Sequence, residues 1–331
     1  MSLFKLSVSS DREHPNFRAL RLSPYHNAAR ALMDSLFTRM GDPNGGFVGS
    51  FQTDGFYARL SELAWFAYLE EANAEIDRSV VGPDFLASVS GRRVALEITT
   101  ANPSDGKSRD ISMNKIDPLS FEEVIQRSAL DFPSKILSSI RKKMKKDYSS
   151  LSQCQGRSIV IAIGPFYEPG SVTFIDESLV EAIYSIQPMH GRTFSRTPAF
   201  ASEESAHIAA IAFCNQMTVP RFLRIAHQDP AEKPLSGIRS GIAMISLNDD
   251  DWEAGPYGYR LNTGGQEERW SEGVTIFHNP YSSSPLPIGV LPCTSYFHFS
   301  DGGLKREVGN FHPLQSVMEV CVESEDTDVK G

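Results

Sequence analysis

Two acidic side chains are predicted to meet on a β-hairpin over residues 82–101. Apolar residues alternate on both sides of Ser90-Gly91, a dipeptide that suits a two-residue turn. Counting outward from this turn places Asp84 opposite Glu97. Directly opposed side chains have β-carbons about 4.5–5.5 Å apart on one side of the sheet. The hairpin therefore predicts a close pair of carboxylates.

The chemistry that this pair favours is the binding of a divalent cation. Two like charges opposite each other destabilise a sheet unless a positive charge lies between them. Mg²⁺ (or Mn²⁺) is suitable, because one or two carboxylates, water and substrate phosphates usually complete the coordination of such an ion. The alternative is an exposed hairpin with two solvated, inert acids, whose charge Arg93 compensates.

The other hairpin residues separate into two faces. The face predicted to pack on the core is apolar and consists of Phe85, Ala87, Val94, Leu96 and Ile98. The face that carries the two acids also carries Ser88, Arg93 and Thr99. The acids are therefore expected on a polar face.

A third acid lies on a helix predicted from Thr53 to Ala72, with Thr53 or Asp54 as its N-cap. Glu62 falls among apolar positions of this helix. A carboxylate in such surroundings is costly unless it is paired, hydrogen-bonded or metal-bound. We therefore expect Glu62 to have a partner, the alternative being a side chain that reaches solvent past Trp65.

A strongly basic helix is predicted over residues 133–148, with an apolar stripe facing the core. Six basic residues, with no acid between them, lie within 135–146, namely Lys135, Arg141, Lys142, Lys143, Lys145 and Lys146. Arg141 and Lys143 flank the stripe and are expected to lean inward. The opposite face is assigned Lys135, Lys142 and Lys146. Such a run usually forms a solvated surface, but beside paired acids it also suits a phosphate backbone.

The order of these elements resembles the core of the PD-(D/E)xK nuclease superfamily, which has the restriction-endonuclease-like fold. The resemblance covers residues 53–164. It rests on the helix with Glu62, a strand near 75–81, the Pro83-Asp84 hairpin with Glu97-Ile98-Thr99, the basic helix and an apolar strand at 157–164. It implies an α/β fold with an αβββαβ core, in which helices flank a mixed central sheet. The flanking sequence adds an N-terminal helix and a C-terminal β-rich extension.

The resemblance also implies a function, the metal-dependent hydrolysis of phosphodiester bonds in nucleic acid, with DNA as the first expectation. Asp84 and Glu97 would be the ligands of Mg²⁺ or Mn²⁺, joined by Glu62 as the helix acid of many members. The catalytic set would be Glu62, Asp84, Glu97 and Lys143. The residues assigned to nucleic-acid binding are Lys135, Arg141, Lys142, Lys145, Lys146 and Arg93.

The chain departs from the family pattern at Thr99, where the motif ends in lysine. A hydroxyl cannot supply the positive charge that stabilises the attacking hydroxide. Some relatives carry this lysine on the following helix, and Lys143 is the best-placed replacement, with Lys135 second. Arg93 lies about 13 Å along the strand from Glu97. Without a basic group the fold would be a degenerate module that binds DNA or protein without cutting.

Composition sets the outer limits of these interpretations. The 331 residues contain 40% hydrophobic residues and carry a net charge of −9. This charge argues against a protein whose whole surface binds nucleic acid. No apolar stretch approaches the length of a membrane span, and the first residues lack a signal peptide's apolar block. The four cysteines form no metal-type pair, which favours a reducing cytoplasm. A homodimer and a partner protein both stay open, and no membrane partner is expected.

The expected domain organisation has four parts. Residues 1–50 are an N-terminal helical extension and 51–250 the nuclease-like core. Residues 251–322 form a C-terminal extension rich in loops and strands, and 323–331 an acidic, disordered tail. The apolar segment 207–213 is predicted to be a buried strand that pairs with residues 220–226 or 241–247.

Overall fold

The computed structural model shows a mixed α/β protein in which helices flank a large mixed sheet. It describes residues 2–79, 82–104, 110, 120–185, 197–201, 203–229, 232, 236–248, 251–261 and 267–320. The α-helices are α1 (Pro15–Leu22), α2 (Asn27–Met40), α3 (Phe47–Gln52), α4 (Phe56–Glu71), α5 (Phe121–Gln126), α6 (Phe132–Met144), α7 (Val180–Tyr184) and α8 (Val219–Ala226). A π-helical turn at Arg127–Asp131 joins α5 to α6.

The strands belong to two sheets. Their bounds are β1 (Glu75–Asp77), β2 (Phe85–Val89), β3 (Arg92–Ala101), β4 (Ser158–Pro165), β5 (Ala210–Phe213), β6 (Gly237–Asn248), β7 (Asp251–Arg260), β8 (Thr275–His278), β9 (Ser295–Ser300), β10 (Gly303–Val308) and β11 (Phe311–Val320). The central sheet has the order β1-β2-β3-β4-β5-β8-β9-β10, and the second sheet the order β11-β6-β7.

Strand direction changes across the central sheet. β1, β2 and β3 form an antiparallel meander, whereas β3, β4 and β5 run parallel to one another. β8 lies antiparallel to β5, β9 parallel to β8, and β10 antiparallel to β9. β4 is an interior strand with every residue buried, as expected for a parallel strand covered on both faces. This confirms the buried strand predicted at 157–164.

The hairpin of β2 and β3 has the predicted register. Val89 pairs with Arg92, and Phe85 pairs with Leu96. Ser90 and Gly91 have φ angles of 49° and 74°, and positive values at both central positions belong to the type I′ turn. This turn fixes which side chains share a face, because a slip of one residue would invert the whole pattern.

Each face of the central sheet covers its own hydrophobic core. In the first core α1, α2, α3, α4 and α8 pack with the even-numbered β3 residues Val94, Leu96 and Ile98. In the second core α6 and α7 pack with Ala95 of β3 and Leu86 of β2. The predicted apolar face is confirmed. The opposite face is not polar as expected, because Leu86 and Ala95 lie against α6 there.

Three predicted details are wrong. α4 begins at Phe56 with Gly55 at its N-cap and no side-chain capping bond, because the Thr53 hydroxyl instead donates to the carbonyl of Gly49. Residues 219–226 form helix α8, which has a proline in its first turn. Residues 241–247 belong to β6 of the second sheet, so β5 pairs with β4 and β8 instead.

Segments on the two sides of a predicted domain boundary pack in one core or belong to one sheet. Leu3, Phe17 and Phe47 lie in the core that α4 forms. β8, β9 and β10 extend the central sheet, and the boundary at 250 falls between the paired strands β6 and β7. The proposed tail at 323–331 lies outside the described residues.

The longest described helix, α4, has 16 residues. None of the helices in the described part of the chain combines the length and apolar character that a membrane crossing needs. Cys154, Cys214 and Cys293 are free thiols. A cytoplasmic location stays a prediction.

Candidate active site

Asp84 lies just before β2, at the point where the ladder between β2 and β3 ends. Its Oδ2 accepts a hydrogen bond of 2.7 Å from the backbone N–H of Ile98. Burial, followed by the negative charges of Glu97 and Glu62, raises the pKa of Asp84 to about 6. The hairpin register and the bond to Ile98 place Asp84 next to Glu97, and the negative charge of Glu97 acts on it.

Glu97 is buried in the interior strand β3 and faces α6. Its Oε1 accepts hydrogen bonds from Lys143 Nζ at 2.6 Å and from Lys146 Nζ at 3.0 Å. Burial opposes ionisation of Glu97, but the hydrogen bonds and charges of the two lysines outweigh it and hold its pKa below the usual value. Glu97 is therefore a carboxylate at neutral pH.

Helix α6 delivers Lys143 to this carboxylate. Ile136, Leu137 and Ile140 are buried against the sheet, so one face of α6 is fixed above β3 and β4. At the end of the helix, His207 Nε2 bonds the carbonyl of Met144 at 2.8 Å. Lys143 is on the inward-leaning side, as predicted, and brings a positive charge to the acids from the helix that follows them.

Lys146 was expected on the opposite face, and this prediction is wrong. α6 ends at Met144, so the helical periodicity that assigned residue 146 to the outer face no longer applies there. The chain turns instead, and the Lys146 side chain reaches Glu97 while remaining 57% exposed.

The other predicted basic residues do not join the acids. Lys135 Nζ donates to Ser104 Oγ at 2.7 Å. Arg141 was expected to lean toward the core, but its guanidinium binds the carbonyl of Thr197. Lys142, Lys145 and Arg93 are exposed, and their assignment to nucleic-acid binding stays a prediction.

Glu62 has the partners that its position required, and they are arginines. Its Oε2 lies 2.5 Å from Arg59 Nη1, and its Oε1 lies 2.7 Å from Arg78 Nη2. α4 and α6 cover opposite faces of the sheet, so Glu62 and Lys143 approach Asp84 from different layers. The charge of Glu62 acts on Asp84, although its two oxygens are held by cations.

Tyr148 is a site residue that sequence reasoning missed. Its buried hydroxyl lies close enough to the acids that burial and the charges of Glu97 and Asp84 raise its pKa above the usual value. Tyr148 lies in the 3₁₀ turn that follows Lys146. No spacing rule connects this turn with the hairpin, so the sequence held no signal for it.

Thr99, at the position of the motif lysine, is half-buried on the same strand as Glu97. Asp84 and Glu97 offer two carboxylates, which suffice for an Mg²⁺ ion that keeps several of its waters. Among the residues that the structure describes, no group of three or more His, Cys, Asp or Glu could hold a metal ion. Asp84 and Glu97 are the donors that the described residues offer to a hydrated cation, and a metal site there, with or without Glu62, stays a prediction.

Comparisons of the chain with protein-family models, with curated proteins and with solved structures found no match. The resemblance to the PD-(D/E)xK superfamily consequently depends on the residues and the geometry described above. This geometry brings two carboxylates, those of Asp84 before β2 and Glu97 in β3, together with other polar groups. These are the ammonium groups of Lys143 and Lys146 and the buried hydroxyl of Tyr148.

Proposed function

We propose that the protein hydrolyses phosphodiester bonds of nucleic acid, with DNA as the favoured substrate, at a metal-dependent site of the PD-(D/E)xK type. The observation that carries this proposal is the convergence of Asp84, Glu97 and Lys143 from a strand end, a strand and a helix. A carboxylate pair beside a lysine is the arrangement that the proposed chemistry requires.

The order of elements supports the same proposal. α4, the meander β1-β2-β3, α6 and β4 follow one another as in the αβββαβ core implied by the resemblance. α4 and α6 lie on opposite faces of the sheet. The restriction-endonuclease-like fold is accordingly part of this proposal.

Each residue has a distinct role in the proposed reaction. Asp84 and Glu97 would hold Mg²⁺ or Mn²⁺, an ion that supplies a Lewis acid and lowers the pKa of water. The ammonium group of Lys143, in place of the lysine missing at Thr99, neutralises negative charge that develops on the phosphate. Glu62 keeps Arg59 and Arg78 in place and adds negative charge beside Asp84.

Cleavage assays test this function directly. Supercoiled plasmid and labelled oligonucleotides are incubated with Mg²⁺ or Mn²⁺ and with wild type, Asp84→Asn, Glu97→Gln or Lys143→Met. We expect loss of at least about 100-fold in rate for each variant, which is the usual effect of removing a catalytic group. Asp301→Asn and Lys305→Met are matched controls, because Asp301 in the β9–β10 turn and Lys305 of β10 form an exposed ion pair.

Retained cleavage in Asp84→Asn or Glu97→Gln, with the controls active, would overturn the site assignment. The second candidate function is a module that binds nucleic acid or protein without cutting. The threonine at position 99 favours it, because the family lysine is absent from the strand. That candidate predicts retention of DNA by wild type in a gel-shift assay with no scission in any divalent metal.

A further inference from the structure

Two ammonium groups share a single carboxylate oxygen in the candidate site. Lys143 Nζ and Lys146 Nζ lie 2.6 Å and 3.0 Å from Glu97 Oε1. Their surroundings differ, because the Lys143 side chain is 23% exposed and that of Lys146 is 57% exposed. One lysine is thus built into the site, and the other reaches it from solvent.

The backbone positions of the two lysines differ in the same sense. Lys143 lies within α6, whose apolar side is buried on the sheet. Lys146 lies in the turn beyond the helix, where its N–H bonds the carbonyl of Lys143 and its own carbonyl accepts from Tyr148. These two hydrogen bonds involve only the backbone of Lys146. Its long, exposed side chain can therefore leave Glu97 by a rotamer change that breaks neither of them.

A divalent cation next to Glu97 would change the balance of charge around this oxygen. Two ammonium groups already neutralise the carboxylate, and Asp84 carries at most one further negative charge. Adding two positive charges within a few ångströms of both lysines is unfavourable by Coulomb's law. Of the two ammonium groups, that of the more exposed Lys146 can leave Glu97 at the lower cost.

We propose that the Lys146 ammonium group is a counter-ion of Glu97 that a divalent cation displaces. The displaced Lys146 side chain then binds a phosphate of the nucleic acid. This inference rests on the proposed function, because it assigns a regulated role to a residue of the same site. The Lys146 ammonium competes with the cation in the free protein and neutralises the substrate backbone in the complex. Metal binding and substrate binding are thereby coupled through one side chain.

Calorimetric titration with Mn²⁺ alone measures the competition. We expect Lys146→Met to bind Mn²⁺ roughly threefold to tenfold more tightly than wild type. The reason is that Mn²⁺ no longer has to break the charge-assisted hydrogen bond between Lys146 and Glu97. Lys145→Met is the matched control, since it removes the same charge from an adjacent exposed position without a hydrogen bond to Glu97. Its Mn²⁺ affinity is expected to change less than about twofold.

A second measurement follows the lysine to the substrate. Binding of a DNA duplex is measured by fluorescence anisotropy at several salt concentrations in Ca²⁺. Each phosphate contact contributes about one unit to the slope of log affinity against log salt. We expect the slope for Lys146→Met to be smaller than that for wild type by about one.

The outcomes separate this inference from the proposed function. Unchanged or weaker Mn²⁺ binding by Lys146→Met would overturn the counter-ion role, provided that wild type binds Mn²⁺ and Asp84→Asn does not. An unchanged salt slope would overturn the phosphate contact. If wild type binds no Mn²⁺ through Asp84, both the metal site of the proposed function and this inference are wrong. Far-ultraviolet circular dichroism and a thermal melt establish that Lys146→Met is folded, and Lys146→Gln repeats the test with a polar side chain.

Discussion

At the scale of single residues, Asp84 is the side chain of the candidate site whose ionisation is unfavourable. Asp84 is partly enclosed, and its negative charge faces those of Glu97 and Glu62. Its raised pKa is a statement about stability, because the folded protein holds a proton that the unfolded chain releases more readily. A residue that costs stability at neutral pH is more easily understood as a binding residue than as a structural one.

Replacing Asp84 by asparagine should therefore stabilise the metal-free protein at neutral pH. The pKa of Asp84 is about 6 in the folded state against 3.8 for the free side chain. Stability linked to its proton is complete below about pH 4, and is lost as the pH rises through about 6. We expect the free energy of unfolding of Asp84→Asn to exceed that of wild type by about 3 kcal/mol at pH 7.5, and to match it near pH 4.

Urea denaturation in a chelator at the two pH values measures this difference. The exposed Asp301 provides the control, because Asp301→Asn should leave the stability nearly unchanged at both pH values. A lower stability of Asp84→Asn at pH 7.5 would show that the ionised carboxylate and its bond to Ile98 N–H stabilise the fold instead.

At the scale of secondary-structure elements, the hairpin was predictable because its turn and its alternation of side chains are local properties. Residues 85–98 follow the period of two, and Ser90-Gly91 occupy the turn. The basic helix was predictable for the same reason as far as Met144. Lys146 and Tyr148 were not, because a helix end depends on what the chain meets there, such as His207 at the Met144 carbonyl.

The turn itself offers a test of how the register is held. Ser90 has a φ of 49°, a left-handed value that asparagine tolerates better than serine. We expect Ser90→Asn to stabilise the protein by about 0.5–1 kcal/mol. Gly91 has a φ of 74°, and among the described residues no atom beyond Gly91 and its two chain neighbours lies within 4 Å of an added β-carbon. Gly91→Ala should therefore cost about 1 kcal/mol through the backbone alone.

Thermal or urea unfolding of both variants and of wild type shows whether each substitution raises or lowers the free energy of unfolding. Cleavage or Mn²⁺ binding should change in neither variant, since the turn lies at the far end of the strands from the acids. Destabilisation by Ser90→Asn would mean that the type I′ turn does not set the register.

At the scale of the whole molecule, buried ion pairs connect β6 of the second sheet with helix α8 and with the segment before β8. No sequence pattern predicted them. Arg221 and Arg224 of α8 and Arg239 of β6 surround the carboxylate of Glu268, with contacts between 2.6 Å and 3.6 Å. Burial opposes ionisation of Glu268, but the charges of Arg224, Arg239 and Arg221 outweigh it and lower the pKa of Glu268 to about 2. These residues are distant along the chain, so only the folded topology brings them together.

Neutralising Glu268 should consequently destabilise the protein strongly. Glu268→Gln preserves the side-chain shape but leaves Arg221 and Arg224 without a carboxylate partner and Arg239 with Glu272 alone. Uncompensated buried charges of this kind usually cost about 3–5 kcal/mol. Glu70→Gln is the control, because Glu70 forms an exposed pair with Arg39 and its loss should cost less than about 1 kcal/mol. Urea denaturation followed by circular dichroism measures both variants at pH 7. A loss below about 1 kcal/mol for Glu268→Gln would mean that apolar contacts hold the second sheet in place. The arginines would then reach solvent or other acceptors once the carboxylate is gone.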